Sequence, residues 1–136
     1  MPANQISVPR WILWYVGFLT LLSLSTSVMG YFAPQYIFAN LGIDFANAQP
    51  VTFFYAARNA GILVLCLFGL LTRDSKVLLS MLVLRFVVEL LDLVATLTFG
   101  IGGFNPIVLA ITWIVVFLIP EFWAALTLYK KGSWSR

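Results

Sequence analysis

The sequence has no histidine and a single cysteine among 136 residues. Without histidine the chain lacks the usual axial ligand of haem, the commonest imidazole metal ligand and the usual general base. Cys66 alone cannot close an internal disulfide, and one cysteine is no metal site. Charge is scarce as well: Asp, Glu, Lys and Arg make up 10% of the chain, against about 25% in soluble domains. No nucleophile–base pair, phosphate-binding loop or metal-ligand spacing is visible, and no internal repeat. Asn40, in NLG, lacks the Ser or Thr of a glycosylation acceptor. These absences lead us to expect no metal, no cofactor and no nucleic-acid partner.

What is abundant is apolar. The chain is 62% hydrophobic, with a mean hydropathy of +0.99. A soluble core of this size could not hide so much apolar surface, so the expected class is integral membrane. A membrane helix needs about 20 mostly apolar residues, and four segments qualify, at 11–32, 51–72, 77–98 and 106–129. The expectation is therefore an all-α protein: one transmembrane domain over 1–136, folded as an antiparallel four-helix bundle. The first apolar run is longer than a signal-peptide core, so we read it as a retained helix. Trp11, Trp14 and Tyr15 suit one membrane interface, with Tyr129 and Trp134 on the same side. Asn105-Pro106 is a suitable helix start, with proline at the first position.

The basic residues set the expected orientation. Arg10 precedes the first span, Arg73 and Lys76 lie between the second and third, and Lys130, Lys131 and Arg136 follow the fourth. The other two connections hold no Lys or Arg. By the positive-inside rule both termini are cytoplasmic, in a bacterial inner membrane or a eukaryotic organelle membrane. The long outer connection opens with PQYIFANLGI, where aromatic and aliphatic residues interleave with Asn and Gly; we expect a short interfacial helix there. The connection FGIGGFNP is short and glycine-rich, suited to a helical hairpin.

The third span carries formal charges in LRFVVELLDLVATL. Arg85, Glu89, Asp92 and Thr96 follow at spacings of four, three and four, so they share one helix face. Charges in hydrocarbon are costly and turn toward a bundle interior or aqueous cavity. At 1.5 Å per residue, Arg58 of the second span falls at about the depth of Asp92. Glu121 of the fourth falls in the same half as Arg85. The economical arrangement has two layers: Arg58 with Asp92 and Glu89, and Arg85 with Glu121 or Glu89. Two arginines then face three acids, and arginine keeps its proton. The surplus acid is protonated, bound to a cation or ligand, or close to water. Glu89, nearest the midplane, is the candidate, and the candidate catalytic residue if the protein is an enzyme. A network of this kind either only fixes helix register or also lines a ligand or proton site.

Softer signals surround it. Tyr55 and Asn59 share a face beside Arg58 and could extend its hydrogen bonds or satisfy each other. Thr20, Ser23, Ser27 and Gly30 on the first span, and Ala57 with Gly61 on the second, are expected as close-packing faces. Pro120 should kink the fourth span, and the carbonyl it frees could help polarise the site.

Several stretches together resemble the small four-helix DoxX-like membrane proteins: MGYFAP at the end of the first span, the outer segment ending in LGI, the YAARNAGILVL opening of the second span, and an acid-bearing third span. The run Arg58-Asn59-Ala60-Gly61 is the most distinctive part. The resemblance covers most of the chain and implies the fold, not a reaction.

Three functions compete. The first is an accessory subunit or a module binding lipid or an apolar small molecule, with partner membrane subunits or a homo-oligomer as company. The alternative is a small membrane enzyme using a buried carboxyl for acid–base chemistry on an isoprenoid- or quinone-like substrate. A proton-coupled carrier ranks third, because four helices offer little room for a transport path.

Overall fold

The long runs of Leu, Val, Ile, Phe and Ala carry little that would break a helix, and the chain is helical along them. The computed structural model describes residues 7–35, 45–99 and 105–133. Four helical rods account for nearly all of them: α1 (Arg10–Phe32), α2 (Phe45–Thr72), α3 (Ser75–Phe99), and a composite fourth rod. That rod consists of α4 (Pro106–Trp113), a π-helical turn (Ile114–Leu118) and α5 (Ile119–Ser133). The expected interfacial helix and the glycine-rich connection fall largely on residues 36–44 and 100–104, outside the described residues.

Helix ends follow local chemistry. The Asn105 side chain accepts a hydrogen bond from the Ile107 N–H at 2.9 Å, with Pro106 opening α4. Only Arg73 and Asp74 separate α2 from α3. Arg73 turns the chain with φ 50°. Asp74 Oδ1 then accepts from the Lys76 and Val77 N–H groups at 2.7 and 3.3 Å, capping α3. One boundary differs from expectation: α2 begins at Phe45 and runs through Pro50, six residues before the expected start. Apolarity marks where a span begins, and a helix need not stop there.

Three helices are long and apolar enough to cross a membrane: Arg10–Phe32, Thr52–Thr72 and Pro106–Gly132. At 25 residues α3 matches them in length, but it holds Arg85, Glu89 and Asp92. The packing runs α1 against α2, α2 against α3, and α3 against the fourth rod. The main core draws on every rod, with Ile12, Leu19, Cys66, Leu82, Ala124 and Leu128 buried together. A smaller cluster joins Leu93, Ala110 and Leu118. Contacts are closest where side chains are smallest. A Cβ on Gly30 would stand 2.6 Å from that of Ala56, and one on Gly69 2.8 Å from Leu78 Cδ2. The expected packing pair on α2 is a correction: Ala57 and Gly61 are exposed, and a Cβ on Gly61 would meet nothing within 4 Å. The tight α1–α2 seam runs one residue away, through Ala56.

Candidate functional site

The polar face of α3 turns toward the other helices, with Arg85, Glu89 and Thr96 buried and Asp92 half-buried. Val87, Leu91 and Val94, on the remaining faces, are exposed. The helical spacing of the sequence therefore sorts α3 into a polar inner face and an apolar outer one.

The inner layer centres on Arg85. Its Nε donates to Glu121 Oε1 on α5 at 2.8 Å, its Nη1 donates to Ser23 Oγ on α1 at 3.2 Å, and its Nη2 pairs with Glu89 one turn along α3. The planar guanidinium fork thus joins three rods at one point. Arg85 is 2% exposed and Glu121 0%. The second oxygen of Glu121, Oε2, is buried with no hydrogen-bond partner among the described residues. The indole N–H of Trp113 lies near Glu89 yet makes no hydrogen bond of good geometry.

The outer layer is a bidentate pair. Arg58 Nη1 and Nη2 donate to Asp92 Oδ1 and Oδ2, both at 2.7 Å, the fork-to-fork geometry that carboxylates favour. The Arg58 guanidinium carbon stands 4.9 Å from the centre of the Tyr55 ring, within cation–π range. Asn59 Nδ2 donates to the Tyr55 carbonyl at 2.9 Å. Tyr55 therefore meets Arg58 through its ring face, and Asn59 turns back to its own helix. Unlike the inner layer this one is partly open, the Arg58 and Asp92 side chains being 36% and 26% exposed.

Arg58, Tyr55, Asn59 and Asp92 thus lie together in one layer, and Arg85, Glu89 and Glu121 in the other. Glu89 goes with Arg85, and the pairing with Arg58 that was also expected is not made among the described residues. Two further contributors carry roles that their spacing did not signal. Ser23, expected on a packing face, also binds Arg85. Tyr15, expected in the interface belt, donates its hydroxyl toward the Val116 and Phe117 carbonyls at 3.2 and 3.3 Å. Pro120 has no N–H for the carbonyl of Val116, four residues back, so the kink signal marked an acceptor that Tyr15 uses. Among the described residues, no group of three or more Cys, Asp or Glu is placed to hold a metal ion.

Among the described residues, open apolar grooves lie on the outside of the rods. One, of about 400 Å³, runs between α2 and α3 along Leu65, Phe68, Val77 and Leu84, with Lys76 at one end. Another, of about 360 Å³, runs between α3 and α5 along Val83, Phe86, Phe122 and Leu126. Compared with known proteins, the chain matches no family model, no curated protein and no solved structure.

Proposed function

We propose that the protein is a non-catalytic, four-span membrane module that serves as an accessory subunit or binds lipid or an apolar small molecule. In this reading the rods form an antiparallel bundle of the DoxX-like kind, with α3 crossing as the third of four spans and both termini cytoplasmic. The contrast between the two charged layers carries it. The inner layer is sealed, with Arg85 tied to three rods, which suits a lock on the helix packing rather than a site that must admit substrate. The outer pair is half open, so Arg58 and Asp92 can offer polar contacts to a bound ligand or a partner helix. Intramembrane ion pairs commonly serve such ends. Orientation rests on the placement of Arg10, Arg73, Lys76, Lys130, Lys131 and Arg136.

The test is copurification from native membranes in mild detergent. Wild-type protein should retain a partner protein or an apolar compound. The double variant Arg58→Gln/Asp92→Asn removes both charges of the pair together and should lose that companion while still eluting as folded protein. Retention of the same companion by the folded double variant would count against the outer layer as its contact.

One observation favours the enzyme reading: Glu89 and Glu121 share a single arginine, and Glu121 Oε2 has no partner among the described residues. A surplus carboxyl that carries a proton could donate it to an olefin or carbonyl of an isoprenoid- or quinone-like substrate. Turnover of such a compound by wild type, abolished in Glu89→Gln or Glu121→Gln, would replace the first reading with this one.

A further inference from the structure

The groove between α2 and α3 changes chemistry along its length. Lys76, Ser80 and Leu84 follow at intervals of four, so they lie one above another on one face of α3, about 6 Å apart along the axis. The series runs from a cation at the helix end, through a hydroxyl one turn deeper, to an aliphatic side chain a turn deeper still. Leu65 and Phe68 of α2 form the opposite apolar wall.

Two features mark this strip. Thr20, Thr26, Thr72, Thr96 and Thr127 use their hydroxyls locally, each donating to the carbonyl four residues back. The Ser80 hydroxyl makes no such bond and has no partner among the described residues, although it faces an apolar groove. The Lys76 ammonium likewise makes no ion pair among the described residues. Its neighbours in the turn are Arg73, which is exposed, and Asp74, whose Oδ1 is turned to the start of α3. The turn therefore carries one more positive charge than negative.

We propose that this groove binds one anionic glycerophospholipid. The lipid phosphate sits at Lys76 and Arg73, an ester carbonyl accepts from the Ser80 hydroxyl, and an acyl chain lies along Leu84, Leu65 and Phe68. Phosphate, ester and chain follow one another in a phospholipid in the order in which cation, hydroxyl and apolar wall follow one another here. Lysine suits the outer end, because its stem can lie on apolar surface while the ammonium reaches the headgroup level. This inference rests on the membrane-spanning reading above and deepens its lipid-binding branch.

The experiment is native mass spectrometry of the full chain released from nanodiscs containing equal amounts of phosphatidylglycerol and phosphatidylcholine, preceded by flotation with the same lipids as vesicles. Wild type should retain phosphatidylglycerol over phosphatidylcholine about fivefold, the preference that one cation gains at an anionic membrane surface. Lys76→Gln should bring the two lipids level. Ser80→Ala should weaken retention of both, and Leu84→Trp, which fills the groove, should abolish it. Lys131→Gln removes the same charge from another rod and should leave the preference intact. Equal retention of both lipids by wild type, a preference unchanged in Lys76→Gln, or a second copy of the chain released in place of lipid would each overturn the proposal while the membrane reading stands. Failure to float with vesicles would overturn the membrane reading itself.

Discussion

Arg85 has one positive charge and two carboxyl neighbours. With Glu89 and Glu121 both ionised, the inner layer would hold an uncompensated negative charge in a sealed interior. One carboxylate is enough to balance the guanidinium. Glu89→Gln or Glu121→Gln alone should therefore leave most of the folded protein in detergent, since each keeps one carboxylate against Arg85. The double variant Glu89→Gln/Glu121→Gln strips Arg85 of any counter-charge, and breaking a buried pair costs roughly 3–5 kcal/mol. Monodisperse yield and thermal unfolding of the three variants check this; a double variant as stable as the singles would show that the layer does not depend on charge balance. The pairs Arg58–Asp92 and Arg85–Glu89 were legible because spacing and expected depth can be counted along a sequence: Arg58 and Asp92 were expected at matched depth, and Arg85 and Glu89 are four apart. The hydrogen bonds of Ser23 and Tyr15 were not. A hydroxyl donates or accepts in any direction, and nothing in its spacing tells a packing serine from one that receives a guanidinium.

At the scale of the helix, small residues decide how near two rods come. Gly30 lets α1 approach Ala56, whereas Gly61 faces open space. The sequence presents both as glycines among small neighbours, and only the rotation of each helix separates them. Gly30→Ala would place its Cβ 2.6 Å from that of Ala56. The rods must then move apart, and overpacking of this kind costs about 1–3 kcal/mol. Gly61→Ala meets no neighbour and adds a better helix former. We expect the unfolding temperature in detergent to fall for Gly30→Ala and not to fall for Gly61→Ala; the same change in both would mean that the seam is not closely packed. The fourth rod uses another device. Ala110 and Leu118 belong to one buried cluster although eight residues apart. In a regular α-helix that separation turns them about 80° from each other. The wide π turn at Ile114–Leu118 takes up about one extra residue and brings them back to one side. Pro120 signalled a disturbance here, but a proline shows where a ladder is interrupted, not how the rods on either side are re-phased.

At the scale of the whole molecule, many large apolar side chains among the described residues face outward. Trp14, Phe32, Phe54 and Leu71 are each more than three-quarters exposed, while Arg85 and Glu121 are buried. Soluble monomers rarely show contiguous apolar patches beyond a few hundred Å², and the arrangement is the one that hydrocarbon favours. Composition alone makes this class legible, because the 62% hydrophobic content leaves no other way to cover the surface. The helix hardest to assign to a span from composition is α3, since three charges fall inside it. Those charges pair with one another and with the neighbouring rods; if α3 then crosses as a span, the turn at Arg73–Asp74 lies on the side opposite the start of α2. On the orientation proposed from the six loop and terminal cations, that turn and both termini would face the cytoplasm. Single cysteines in a Cys66→Ser background test this directly with a membrane-impermeant thiol reagent applied to intact cells. Asn47→Cys, near the start of α2, should label from outside, and Ser75→Cys, at the start of α3, should label only after the membrane is opened. Labelling of position 75 but not 47 in intact cells would invert the orientation, and labelling of both would mean that α2 does not cross.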